Sequence, residues 1–194
     1  MPSSARSAAV FCGSRSGNDP VMLAATLAVG AGLAGLGIRL IYGGGRVGLM
    51  GALADSVLDA GGAVTGVIPD FLSRREVAHD GVQDLRVTDS MHTRKRMMFD
   101  LADVFVTLPG GFGTLDETVE VLTWRQLGLH DKPVILCDFG GWAQPLLAVL
   151  RAAVTQGFAS AESADLFEVV ADPATLLARL ADVPARAPVL SERL

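Results

Sequence analysis

Short, continuously apolar runs alternate with longer stretches of helical spacing along most of this chain, and that alternation restricts the fold more than any other feature of the sequence. The runs at residues 8–12, 38–42, 63–68, 85–88, 104–108, 134–137 and 167–170 read as strands. Between them, residues 19–36, 49–60, 91–102, 115–127, 142–156 and 173–181 read as helices. A strand that is apolar at every position is buried on both faces, which is the condition of a parallel sheet covered by crossover helices. The expected fold class is therefore α/β: a single-domain Rossmann-like doubly wound parallel sheet with helices on both faces. It should span residues 1–183, leaving residues 184–194 as a C-terminal tail. Residues 70–83 break the pattern with a polar excursion that carries Arg74, Arg75, Glu76 and His79 and is expected to form a flap.

Composition narrows the partners. A formal charge of -5 leaves no broad basic face for nucleic acid or an anionic membrane, whereas a small anion needs only local positive charge. Residues 21–38 are apolar apart from Thr26 and just long enough to reach across a bilayer, yet they are largely Ala and Gly and occupy the slot of a first crossover helix. No membrane span is expected. Residues 1–9 show no apolar signal core, so a cytoplasmic protein is expected. Cys12 and Cys137 each close an apolar run and read as small buried hydrophobes, and three scattered histidines give no metal-ligand spacing. Half the residues are apolar and only 19% are charged. That leaves little polar material to cover a helical outer layer, and a surface for association between chains is expected.

The chemistry concentrates after the strand-like runs. Pro109-Gly110-Gly111-Phe112-Gly113-Thr114-Leu115-Asp116-Glu117 follows one of them and opens a helix, the arrangement in which backbone N–H groups and the positive end of a helix dipole hold a phosphate. Ser90-Met91-His92-Thr93-Arg94-Lys95 follows another and places two cations near a helix start, where they oppose the dipole and should answer to an anion. Glycines also follow the first two runs, at Gly13-Ser14 and at Gly43-Gly44-Gly45-Arg46-Val47-Gly48. Ligands of parallel sheets bind outside the carboxyl ends of the strands, so all four segments can line one pocket. Two plainer readings compete. Gly43 to Gly48 matches a dinucleotide fingerprint with Asp70 beyond the next strand, and Thr114 with Glu117 has the spacing of a helix capping box.

Together the two longer motifs resemble the LOG family of cytokinin-activating nucleotide phosphoribohydrolases, whose marks are PGGxGTxxE and an SMHxRK-like string. Phe11 to Ser14, Tyr42 to Gly45, Val47 to Gly51, Ile68-Pro69 with Glu76, and Thr123 to Gly128 extend the likeness, while Arg15 and Met22 depart from it. The resemblance implies hydrolysis of the N-glycosidic bond of an N6-modified adenosine 5'-monophosphate, with no cofactor, by a homodimer or larger even-numbered oligomer. It implies Arg94 and Glu117 as catalytic residues. Contacts to the nucleotide would come from Ser14, Gly45, Glu76, Lys95, Gly110, Gly111, Gly113, Thr114, Glu120 and Thr123. A general purine nucleoside 5'-monophosphate nucleosidase and a non-catalytic nucleotide or molybdopterin-type carrier are the alternatives. Proteins of this kind have also been labelled lysine decarboxylases, but a pyridoxal enzyme needs a Schiff-base lysine. Of the two lysines, Lys95 belongs to the cationic cluster and Lys132 precedes Pro133 at the entry of a strand.

Overall fold

A computed structural model describes residues 6–73 and 78–184. Its strands are β1 (Ser7–Phe11), β2 (Arg39–Tyr42), β3 (Val64–Pro69), β4 (Asp84–Thr88), β5 (Val104–Thr107), β6 (Val134–Cys137) and β7 (Glu168–Val170). They form one sheet in the order β4-β3-β2-β1-β5-β6-β7, with every neighbouring pair parallel. The order reverses at β1, which pairs with β2 on one side and β5 on the other. A doubly wound sheet has its natural crevice at such a reversal, where the loops leaving two adjacent strands run to opposite faces.

The helices are α1 (Pro20–Gly35), α2 (Gly48–Asp59), the short α3 (Asp70–Ser73), α4 (Met91–Leu101), α5 (Phe112–Gln126), α6 (Gln144–Thr155) and α7 (Pro173–Ala181). Alternate residues of β1 divide between two cores. Ala8, Val10 and Cys12 join α1, α2 and α7, whereas Ala9 and Phe11 join Met98, Phe99, Val121 and Leu122 of α4 and α5. Period-2 side chains buried on both sides explain why the run at residues 8–12 is apolar throughout, whereas the edge strands β4 and β7 carry Asp84, Arg86 and Glu168 at positions that are not buried.

The expected elements are present with ends shifted by a residue or so, apart from two starts. α5 begins at Phe112 rather than 115, and the stretch expected to begin a helix at 142 instead opens with a 3-10 turn, Phe139–Gly141, before α6. α1 packs closely on its neighbours: a Cβ at Gly30 would lie 2.7 Å from Ser56 of α2, and one at Gly32 would collide with Leu177 of α7. No helix among the described residues is long and apolar enough to cross a membrane. Glu76 and residues 185–194 lie outside the described residues.

Candidate active site at the carboxyl ends of β1 and β5

The loops leaving β1 and β5 touch. Gly13 N–H donates to the Pro109 carbonyl at 3.0 Å, and Leu108 N–H donates to the Phe11 carbonyl at 2.9 Å. Gly110 is small for a steric reason, because a Cβ there would meet the Thr114 side chain and lie 2.8 Å from Gly13 N. Gly111 and Gly113 differ: a Cβ at either would find no atom within 4 Å. The fold itself does not need glycine at those two positions, so their bareness leaves room in front of the α5 N-terminus. Gly111 is the N-cap of α5 and supplies no side-chain cap, unlike Asp19, Ser90 and Asp172 at the starts of α1, α4 and α7. The first-turn N–H groups of α5 are thus free to meet an anion.

Because α5 starts at Phe112, Thr114 stands inside its first turn and Glu117 in its second, and the capping-box reading is removed. The Thr114 side chain packs over Gly110, while its carbonyl accepts the Thr118 hydroxyl at 2.6 Å. Glu117 is turned toward α4. Its Oε1 lies 3.7 Å from Arg94 Nη2, with both side chains deeply buried, at 12% and 9% exposure. Burial raises the Glu117 carboxyl to about 7; the charges of Arg94 and Lys95 pull the other way, and Asp116 and Glu120 push it further up. The consequence is a carboxylate that changes charge near neutral pH, a property suited to proton transfer at an active site.

Arg94 is held by three elements. Its Nε donates to the Val67 carbonyl of β3 at 3.1 Å, its Nη1 approaches Met91 Sδ at 3.8 Å, and its guanidinium fills the space beside Gly43. A Cβ at Gly43 would fall 2.3 Å from Arg94 Nη2, which ties the second glycine loop to the seating of the arginine. That loop is tight for packing reasons as well. Gly48 has φ of 62° and presses against the Ser14–Arg15 backbone, Gly45 bridges to Ala78, and His79 N–H donates to the Gly44 carbonyl at 3.0 Å. Asp70 begins α3 instead of ending a strand, so the acidic partner of a dinucleotide fingerprint is not where that motif needs it.

The cations near the start of α4 do answer to anions, and these are side chains of α5. Besides Arg94 with Glu117, Lys95 Nζ lies 2.6 Å from Asp116 and 3.4 Å from Glu120. Lys95, Glu117 and Glu120 line a small cavity whose other walls are mainly apolar, among them Phe11, Phe105 and Trp124. Lys95 therefore braces α4 against α5, and its ammonium is engaged by carboxylates. Thr123 is not brought to the cradle. It lies on the exposed face of α5, its hydroxyl donating to the Val119 carbonyl. Ser14 is exposed beside Gly13, at the rim of the same crevice. One contributor escaped the sequence reading: Trp142, from the loop after β6, donates its indole N–H to the Gly110 carbonyl at 3.2 Å. Lys132 sits at the amino end of β6, away from this crevice, its ammonium donating to the Phe99 carbonyl at 2.6 Å. Among the described residues no group of three or more His, Cys, Asp or Glu could hold a metal ion.

The two kinds of glycine separate fold from binding. Gly110→Ala should destabilise the protein by about 2 kcal/mol or more, because backbone and a packed threonine must move. Gly111→Ala should change thermal stability little yet weaken phosphate binding by about tenfold or more, since a methyl group enters the ligand's space. Melting curves and phosphate titrations on both variants would show this, and similar behaviour of the two would refute the distinction.

Fold and site thus define a doubly wound α/β protein with a helix N-terminus lacking a side-chain cap at the sheet's switch point and a buried Arg–Glu pair beside it. The family model described as "Possible lysine decarboxylase" matches residues 50–180. The cytokinin riboside 5'-monophosphate phosphoribohydrolase of Rhodococcoides fascians is 46% identical over 154 residues, covering 79% of this chain and 78% of that protein. The Arabidopsis thaliana enzyme of the same name, LOG1, is 40% identical over 185 residues, covering 95% and 87%. The chain belongs to the LOG family. In three dimensions it is similar to the molybdenum cofactor carrier protein of Chlamydomonas reinhardtii, with a TM-score of 0.70, 23% identity and coverage of 92% of this chain and 97% of that one. The molybdenum cofactor binding protein of Rippkaea orientalis gives 0.69, 23%, 91% and 95%. At that identity the likeness is one of fold.

Proposed function

We infer that this protein hydrolyses the N-glycosidic bond of N6-modified adenosine 5'-monophosphates, the cytokinin riboside 5'-monophosphates, releasing free base and ribose 5-phosphate. The observation that carries the reading is the buried Arg94–Glu117 pair next to an uncapped α5 N-terminus, in a chain of the LOG family. Gly110, Gly111, Gly113 and Thr114 hold the 5'-phosphate on the first turn of α5, with Ser14 and Gly45 at the edge of the crevice. Fixing the phosphate orients the ribose, so that C1' meets the Glu117 carboxylate rather than bulk water. The bond from C1' to the base nitrogen breaks with its electron pair leaving on the base, and the sugar passes through an oxocarbenium-like state. Glu117 stabilises that charge and takes a proton from the attacking water, whose oxygen forms the new C1'–O bond; the same proton is passed on to the departing base nitrogen, so the base leaves neutral and Glu117 returns to its ionised form. Arg94 sets the position and proton affinity of Glu117. Lys95 and Glu120 shape the wall between α4 and α5, and the family resemblance assigns Glu76 to the nucleotide. The balance of this reaction calls for neither metal nor organic cofactor. A carrier would need the cradle but not a carboxylate tuned to neutral pH.

The working unit is a homodimer. Phe112 and Val119 of α5 are 92% and 43% exposed and, at helical spacing, share a face with Thr123. Thr123 reaches a nucleotide only if that face meets a second copy, which would place the two pockets symmetrically beside the contact. Incubation with isopentenyladenosine 5'-monophosphate, with light scattering on the same preparation, tests both parts. Free base and ribose 5-phosphate in equal amounts from a species of twice the 20.2 kDa chain mass are expected. Release of inorganic phosphate and riboside would reject the reaction, and an active monomer would reject the dimer.

A further inference from the structure

We propose that Trp142 is a positioning residue for phosphate recognition, acting through the Gly110–Gly111 peptide; this rests on the cradle reading above. In a trans peptide the C=O and the following N–H point in opposite directions. The indole N–H of Trp142 holds the Gly110 carbonyl at 3.2 Å, so the Gly111 N–H is aimed away from Trp142. There it meets no acceptor among the described residues, and a Cβ at Gly111 would find no atom within 4 Å. The bond thus orients one of the amides available to an anion before the anion arrives, which lowers the ordering cost of binding.

The loop after β6 is built to present this indole. Gly140 and Gly141 take φ of 59° and 78°, a conformation that favours glycine, and fold the chain into the 3-10 turn beneath Trp142. Phe139 is buried, and Trp142 N–H donates to its carbonyl at 3.2 Å. Asp138 accepts the Ala143 N–H at 2.8 Å and also takes a hydrogen bond from the Gln144 amide, pinning the other side of the turn. A tryptophan used only for packing would need no partner aligned on a cradle carbonyl. Phenylalanine preserves most of the ring and removes the donor, so Trp142→Phe isolates the bond.

Calorimetric titration with ribose 5-phosphate and separately with adenine, on wild type and Trp142→Phe, tests the proposal. The variant should bind ribose 5-phosphate about tenfold more weakly while adenine affinity changes less than about twofold. With nucleotide substrate, KM should rise by a similar factor and kcat should fall much less. Unchanged ribose 5-phosphate affinity, or an equal loss for both ligands, would overturn the positioning role. If wild type fails to bind ribose 5-phosphate, the cradle reading itself falls and takes this proposal with it. A second measurement needs only the intact protein: in a nitrogen-15 NMR titration, the Trp142 indole and Gly111 amide signals should shift with one common Kd for ribose 5-phosphate. An indole signal that stays still while Gly111 moves would equally reject the coupling.

Discussion

Glu117→Gln should lower turnover by at least about a hundredfold and, above neutral pH, make the protein more stable than wild type. The two effects share one cause. Burial lifts the Glu117 carboxyl from its ordinary 4.5 to about 7, so the folded protein holds this proton more tightly than the unfolded chain does. Wild-type stability therefore declines as pH rises from about 4.5 through about 7, as the buried carboxylate forms against the cost of its own desolvation, and levels off beyond. A shift of that size corresponds to about 3 kcal/mol at most. Glutamine resembles the protonated acid and avoids the penalty, so the variant should match wild type near pH 5 and exceed it near pH 8, by roughly 5 °C in Tm. The activity it loses should be the limb of the wild-type pH–rate profile that rises through neutrality as the carboxylate ionises. A variant that stays active, or that is less stable than wild type at pH 8, would return Glu117 to a structural role.

That prediction was only partly open to the sequence. The alternation of apolar runs and helical stretches contained the parallel sheet and the placement of four glycine or cationic segments at strand ends, because burial on both faces is written directly into the residues. What the spacing could not decide was the register of α5. Thr114 and Glu117 have capping-box spacing, and the helix instead starts two residues before Thr114, where Gly110 packs against Gly13 and leaves Gly111 as the cap. A contact between the loops after β1 and β5 makes that choice, and local propensity carries no trace of it. The cations of α4 posed the same difficulty. Arg94 and Lys95 were legible as seeking negative charge, but which carboxylates they meet depends on how α4 lies beside α5. Trp142 was invisible for a related reason, since it reaches the cradle from a loop more than thirty positions away, along a hydrogen bond that no periodicity encodes. Thr123, which the resemblance implied as a nucleotide contact, faces outward with Val119, an orientation that helical spacing alone does not give.

A second large effect follows from making the phosphate the handle by which the ribose is oriented. If Gly110, Gly111, Gly113 and Thr114 hold the phosphate as proposed, they touch no reacting atom, yet their binding energy places C1' against Glu117, so removing the phosphate should reduce kcat as well as raise KM. Losses from each source multiply in kcat/KM. The direct measurement is kcat/KM for isopentenyladenosine 5'-monophosphate against isopentenyladenosine itself, on one preparation at one pH. The monophosphate should be favoured by at least about a thousandfold, equivalent to roughly 4 kcal/mol of transition-state stabilisation drawn from the cradle. Equal kcat/KM for the two compounds would contradict the role given to the α5 N-terminus and, with it, the reading of this site as a phosphoribohydrolase.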